Sequence, residues 1–396
     1  MNNNWTRSTI GDLLALQRGY DLTDEQREIG SIPVMGAAGR NGFHSEARAT
    51  APGIVVGRSG GSFGQVHFAC EDFWPHNTAM FVTDFKGNDP HFVYYFLKKL
   101  NFSKLNSGSA QPSLNRNYVY HVRICVPPPG EQKKIGAVLA TLDAKVELNN
   151  RINAELEALA KTIYDYWFVQ FDFPDANRRP YKTSGGKMVY NATLKREIPA
   201  GWRAGSLDDL GEIVGGSTPP TSNPEHFGHD MIPWITPKDL SNNKGRRFIS
   251  RGGIDISEVG RREASLKLHP TGTVLMSSRA PVGYLAIALN PVTTNQGFKS
   301  FVPSKGYGTS FIYYTVARSL PRIIQYASGS TFSEISGGVL KAMHTVLPTQ
   351  EIVEAFSNVL EPITERQKSA ELESEQLTQL RDWLLPLLMN GQVHVD

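Results

Sequence analysis

Two halves of the 396-residue sequence carry the same landmarks in the same order, at an offset of about 220 residues. Trp5 stands ahead of Gly11-Asp12 as Trp202 stands ahead of Asp208-Asp209-Leu210-Gly211. Gly53-Ile54-Val55-Val56 matches Gly272-Thr273-Val274-Leu275, and each run leads into a polar turn, Arg58-Ser59-Gly60-Gly61-Ser62 or Ser277-Ser278-Arg279-Ala280-Pro281. Tyr94-Tyr95 then matches Tyr313-Tyr314, Ser107-Gly108-Ser109 matches Ser328-Gly329-Ser330, and Val126-Pro127-Pro128-Pro129-Gly130-Glu131 matches Val346-Leu347-Pro348-Thr349-Gln350-Glu351. A repeat on this scale means that each motif must be explained twice. It predicts one globular unit followed by one helix, duplicated.

Within each unit, short runs of β-branched and aromatic residues are bounded by Gly, Pro and Asn, the pattern of strands. Ile32–Met35, Gly53–Val56, Val66–Ala69, Ala79–Thr83 and Val119–Val126 read as strands, while His91–Leu100 and Phe311–Ile324 have helical spacing. After each Pro cluster the period changes. Leu142, Val146, Asn149, Ile152, Leu156, Leu159, Ile163 and Tyr166 alternate steps of 3 and 4, as do Ile352, Phe356, Val359, Ile363, Arg366, Ala370, Glu373, Leu377, Leu380, Leu384 and Leu387. That period is the seam of a coiled coil. Pro362 predicts a kink or restart in the second helix. A helix from Glu351 to Leu385 would be about 50 Å long, and pairing the two antiparallel would set one unit at each end. Packing of each helix on its own unit is the other arrangement. The fold class expected is α+β, with two sheet-rich α/β domains separated by two long antiparallel coiled-coil helices.

Several chemistries lack their residues. Cys70 and Cys125 have no second Cys at zinc-ligand spacing and read as buried free thiols. The ten His are scattered, and no His-Glu-x-x-His or Gly-x4-Gly-Lys-Ser/Thr sequence occurs. No run reaches the roughly 18 apolar residues that a membrane helix needs, nor does the N-terminal stretch resemble a secretory signal. The reading is a soluble, cytoplasmic chain. Pro127-Pro128 lacks the polar and aromatic neighbours used by amino-methylating enzymes. Gly57-Arg58-Ser59-Gly60-Gly61 matches the Gly-x-Ser-x-Gly of serine hydrolases, which would make Ser59 a nucleophile, but that turn must open a helix. Here the following Gln65-Val66-His67-Phe68 alternates like a strand, so a Gly-rich hairpin fits better.

Binding remains. Arg, Lys, Ser, Asn and Gln cluster beside glycines at Arg40-Asn41-Gly42, Arg58 to Ser62, Lys238-Asp239, Asn242 to Arg247, Ser277 to Arg279 and Asn295-Gln296. Arg and Lys pair with guanine edges and phosphates, Asn and Gln with adenine, and glycine lets a backbone approach closely.

The whole set, in this order, resembles the DNA-specificity subunit of type I restriction-modification systems. The likeness is carried by Ser107 to Asn115, the Pro-rich Val126 to Gln132, Trp234-Ile235-Thr236-Pro237-Lys238-Asp239, Ser328 to Phe332 and the tail Leu384 to Gly391. It implies a first target-recognition domain at 1–130, a spacer helix at 131–170, a linker and second domain at 171–348, and a second spacer helix at 349–396. Each domain would read half of a split, asymmetric site in double-stranded DNA. The helices would set the unread spacer and dock two adenine methyltransferase subunits, which nuclease/translocase subunits join. The chain itself would catalyse nothing and bind no cofactor or metal; S-adenosylmethionine, ATP and Mg would belong to the partners. Expected DNA contacts are Arg40, Arg58, Ser59, Gly60 and Ser62 in the first domain, and Lys238, Ser278, Arg279, Tyr284 and Gln296 in the second. The rival readings are a hydrolase using Ser59 and a coiled-coil scaffold that does not read DNA.

Charge is divided along these boundaries. The net +3 of the chain separates into 12 basic and 10 acidic side chains in 1–130, 21 and 13 in 171–348, 5 and 6 in 131–170, and 3 and 9 in 349–396. Basic recognition units joined by acidic helices suit a polyanion reader with protein-facing spacers.

Overall fold

A computed structural model describes residues 4–108, 111–327 and 334–395. The chain divides into two compact units: unit 1 comprises Met1–Glu147 and Glu375–Asp396, and unit 2 comprises Leu148–Ser374.

In unit 1 the strands Ala15–Arg18, Ala79–Asp84, Gly53–Gly57 and Val66–Ala69 form a sheet in that order. A second sheet places Ile32–Gly36 between Gly39–His44 and Trp74–Pro75, the latter pairing in parallel. Thr6–Thr9 and Arg123–Val126 close the unit as an antiparallel pair. Unit 2 repeats this plan. Glu212–Gly215, Lys299–Val302, Val274–Met276 and Leu285–Ala288 keep the same order, with Phe248–Ile249 added at the edge. Ile232–Ile235 pairs in parallel with Thr293–Thr294, and Arg203–Ser206 closes against His344–Leu347. The closing strands even share a helix start, since Thr9 with Asp12 and Ser206 with Asp209 form equivalent capping boxes. The fold is thus α+β, as the sequence predicts.

Three local expectations change. Val119 is not in a strand: the Asn115 side chain caps a short helix, Arg116–Tyr120, which carries Val119 into the core, and extended chain begins only at Arg123. Cys70, just past the strand Val66–Ala69, is exposed rather than buried, and Cys125 is half-buried; both are free. The Ser107 to Asn115 and Ser328 to Phe332 motifs fall partly or wholly outside the described residues.

The first long helix runs Pro129–Tyr164 and widens into a π turn over Asp165–Val169. The second runs Gln350–Met389 without a restart at Pro362. Pro362 and Pro386 are both exposed, so the carbonyls they leave unbonded face water and the helix continues through them.

The helical period is as predicted, and Asn149, Phe356 and Ala370 of the expected seam are buried, but other seam positions are not. The buried stripe of the second helix is Val353, Phe356, Leu360, Gln367, Ala370, Ser374 and Leu388, whereas Val359 and Leu380 are exposed. Leu159 and Tyr166 are likewise exposed on the first helix, where Asn149, Asn153 and Ala160 are buried. In unit 2 the helices run antiparallel: Asn149 Nδ2 donates to Glu373 at 2.8 Å and Gln367 Nε2 to Glu157 at 3.1 Å.

The core of unit 1 joins Ile54, Val56, Phe92 and Leu97 to Ile135 and Leu139 of the first helix and Leu388 and Met389 of the second. That of unit 2 is an aromatic cluster in which Phe168 meets Phe356 and Phe311, each with centroids 4.9 Å apart. Burial of each such side chain contributes about 1.5–3 kcal/mol.

Candidate nucleic-acid interface

In unit 1 the strands Gly53–Gly57 and Val66–Ala69 are antiparallel, joined by a tight turn through Gly60–Ser62. Four expected residues, Arg58, Ser59, Gly60 and Ser62, lie in this one loop. Gly57 is forced, because a Cβ there would stand 2.0 Å from the Ser62 carbonyl. Gly60 has φ +77° with open space around it, so only its backbone needs glycine. Main-chain bonds fix the loop: Arg58 N donates to Thr78 O at 3.0 Å and Leu114 N to Arg58 O at 2.9 Å, with Ser59 bridged to Ser113. The Arg58 Nε is buried and, in this structure, has no hydrogen-bond partner. Ser59 precedes a single 3₁₀ turn, Gly60–Ser62, inside a strand hairpin and opens no α-helix, which is the wrong geometry for a nucleophile elbow.

Arg40 is exposed on the neighbouring hairpin, with its guanidinium 5.2 Å from the Phe43 ring. That hairpin is tied to the same Thr78, whose Oγ1 accepts from Ala37 N at 3.2 Å. Beside the loop, through Ser113, opens a cleft of about 620 Å³ lined by Gln17, Arg18, Asn115 and Arg116 among others. The selection from sequence omitted these polar residues. Arg116 had a signal, being the one cation directly after the Ser107 to Asn115 stretch.

In unit 2, Lys238, Arg279 and Gln296 are gathered at Gly297. A Cβ at Gly297 would meet Pro237 Cγ at 3.0 Å, Asn295 Oδ1 at 3.1 Å and Arg279 Cγ at 3.5 Å, so glycine permits the helix start, the Arg279 stem and the Asn295-Gln296 turn to converge. Thr236 and Asp239 cap the helix Pro237–Asn242 and hold Lys238 exposed at its first turn. The Gln296 side chain accepts from Thr218 Oγ1. Ser278 does not belong to this surface: it is 0% exposed, pinned by Ser278 N to Gly297 O at 2.7 Å and Ile335 N to Ser278 O at 3.0 Å. Its place is beneath Arg279, as support for the turn.

Tyr284 stands apart from that trio. Its ring packs under Lys244 Nζ at 5.1 Å, and hydrogen bonds with Ser241 and Lys244 hold its hydroxyl below the usual phenol range. Both residues line a cavity of about 610 Å³ with Arg246 and Arg247. Lys244 is thus a further cation that the sequence selection passed over. Arg247 is buried: Nη1 donates to Gln367 at 2.9 Å and Tyr314 at 3.0 Å, while Glu371 accepts from the backbone of Arg247 and Phe248.

Among the described residues no helix is long and apolar enough to cross a membrane, and no group of three or more His, Cys, Asp and Glu is placed to hold a metal.

The chain matches the type I restriction modification DNA specificity domain over residues 2–158 and again over 199–374. It is 41% identical over 199 residues to the type I restriction enzyme MjaIX specificity subunit of Methanocaldococcus jannaschii, spanning 48% of this chain but only 45% of that one. With the HindI specificity subunit of Haemophilus influenzae it shares 27% over 333 residues, 71% of each chain. The crystal structure of the type I restriction-modification S subunit from M. genitalium superposes with a TM-score of 0.66 over 100% of this chain and 98% of that one, at 16% identity, which speaks to the fold. The double match to the family, one copy on each repeated unit, leads to a single assignment: this chain belongs to the DNA-specificity subunits of type I restriction-modification systems.

Proposed function

We propose that the chain reads a bipartite, asymmetric site in double-stranded DNA, one half-site per recognition unit, and positions partner enzymes on it. The recognition units are residues 1–130 and 171–348; the helices at 131–170 and 349–396 act as spacer and docking surface. Two adenine methyltransferase subunits bind the helices, and nuclease/translocase subunits join them in the cytoplasm. S-adenosylmethionine, ATP and Mg serve those partners, and the chemistry is theirs. The observation that carries this reading is the recurrence of a basic, Gly-supported loop at the same hairpin of both units, with the acidic excess confined to the helices. A reader that must hold half-sites about one helical turn apart, roughly 34 Å, needs a stiff spacer, which helices of 36 and 40 residues provide.

Arg40, Arg58, Ser59, Gly60 and Ser62 face DNA in the first unit, with Arg116 from the adjoining cleft. Lys238, Arg279, Tyr284 and Gln296 do so in the second, with Lys244. Cations on phosphates supply salt-dependent affinity, and the turn residues supply sequence choice. The test is selection from randomised duplex DNA by mobility shift, with and without a co-expressed methyltransferase subunit. Two short motifs at a fixed separation are expected. Failure to enrich any sequence with the partner present would favour the scaffold reading instead.

A further inference from the structure

Each unit has a second concavity, away from the basic loops and built from equivalent parts. The closing strand pair, the C-terminal half of the helix Pro90–Lys99 or Thr309–Tyr326, and the end of a long helix surround it. In unit 1 it measures about 450 Å³, with Trp5, Ile124 and Met389 on its apolar side and Arg7, Lys99 and Arg123 exposed around it. In unit 2 it measures about 500 Å³, with Trp202, Phe168 and Val346 on the apolar side and Arg196, Arg318 and Arg322 around it.

The correspondence covers the framework and one of the three cations, since Arg7 and Arg123 align with Ala204 and His344. Trp202 takes the place of Trp5, Arg318 that of Lys99, Val346 that of Cys125 and Phe168 that of Met389. Individual side chains have changed between the copies, yet each pocket keeps an aromatic floor and three cations. Neither lining contains an Asp or Glu. Asp165 approaches Arg318 at 3.9 Å, but among the described residues Arg7, Arg123, Arg196 and Arg322 have no carboxylate partner. Burial also pushes the Lys99 ammonium and the Arg196 guanidinium below their ordinary values, an environment that an anion would relieve.

Charge favours an anion, and the half-buried apolar lining, Trp5, Phe96 and Leu100 in unit 1 and Val169, Leu194 and Val346 in unit 2, favours an apolar side chain. A DNA phosphate or a free inorganic anion satisfies the first and leaves that apolar lining wet. A protein segment satisfies both. We propose that each pocket seats an acidic, apolar segment of a protein partner present in two copies, with an aromatic or aliphatic side chain on the apolar lining and carboxylates among the three cations. That the partner comes as a pair rests on the reading of this chain as a hub for two methyltransferase subunits; the peptide chemistry does not.

The test is fluorescence anisotropy of the full chain with a labelled hexapeptide that alternates phenylalanine and glutamate. Two equivalents should bind. Lys99→Glu with Arg123→Glu should leave one, Arg318→Glu with Arg322→Glu should leave the other, and the four together should abolish binding. A peptide with glutamine for glutamate should bind about tenfold more weakly or worse. Circular dichroism establishes that the variants, all at exposed positions, remain folded. The proposal is overturned if no saturable binding occurs below about 1 mM, if the glutamine peptide binds equally, or if the reversals change nothing. Competition by random duplex DNA that the same reversals abolish would assign the pockets to DNA and overturn it too. DNA selection that fails while two peptides still bind would sink the half-site reading and leave the pockets standing.

Discussion

In unit 1 the long helices meet the recognition fold through Ile135, Leu139, Leu388 and Met389, whereas in unit 2 the buried stripe passes from Val353, Phe356 and Leu360 into Gln367, Glu371 and Ser374, facing Asn149 and Asn153. Unit 1 has a polar contact as well, Asp143 accepting from Arg381 at 2.5 Å and from Tyr95 at 2.6 Å, but both partners of that ion pair keep some exposure. Unit 2 buries its arginine outright, with Glu371 capping two backbone N–H groups of the edge strand and its neighbour. Apolar contacts attract whatever is near, while buried polar groups penalise every register that leaves them unpaired. One repeat is therefore held mainly by burial and the other also by directional pairing.

The largest expected effect comes from breaking that pairing. Glu371→Ala should destabilise unit 2 by about 3–5 kcal/mol, since it leaves the N–H groups of Arg247 and Phe248 without acceptors in the interior; hydrogen exchange should show loss of protection in unit 2 peptides first. Leu139→Ala, the counterpart in unit 1, should cost about 2–5 kcal/mol by opening a cavity and should show first in unit 1 peptides. If either variant loosens both units equally, the contrast fails.

Acid should also separate the units. Burial lowers the His269 pKa to about 4 from 6.5, with Lys267 adding to the effect; its Nε2 lies 3.1 Å from Thr294 Oγ1 inside unit 2. A depressed folded pKa means that the stability this group contributes is intact above pH 6.5 and is lost as pH falls toward 4. The loss should reach about 3 kcal/mol, and His269→Gln should flatten that part of the stability profile. An unchanged slope would show that His269 is not its source.

Smaller effects belong to DNA. Arg279→Ala and Arg58→Ala should each weaken binding to the full site by about 1–3 kcal/mol if they reach bases, and relax choice in one half-site only. Removing cations from unit 2 should reduce the salt dependence of binding more than removing them from unit 1, because 171–348 carries the larger basic excess. Titrations at several salt concentrations measure both. The smallest change expected is Asp143→Asn, about 1 kcal/mol, for a partly exposed pair.

The repeat made the duplication of one strand-rich unit legible, but the order of strands within each sheet was not, since it is set by pairings between residues distant in sequence. The seam was legible in period and only partly in phase: Asn149, Phe356 and Ala370 are buried as expected, but the apolar stripe also points to the exposed Val359 and Leu380, while the buried residues include Gln367 and Glu371, which no hydrophobicity pattern selects. Arg247 reads as one more surface cation in Lys244-Gly245-Arg246-Arg247 until Glu371 arrives from 124 residues away. The same holds at the candidate interface. The Arg58 loop was legible from its own residues, but Ser278 lies inside because Gly297 and Ile335, distant in sequence, cover it. The cleft beside Arg58 draws Arg18 and Arg116 together from opposite ends of unit 1.

Leu388 and Met389 complete the core of a unit that begins at the other end of the chain. On the ribosome, residues 1–147 therefore emerge with part of their interior still untranslated, and all of unit 2 must follow before the missing piece appears. Unit 2 has no such delay, since every residue of its core is contiguous within 148–374. Synthesis thus imposes an order that the symmetry of the repeat conceals: the second half matures first, and the first half waits with exposed apolar surface for the chain to return.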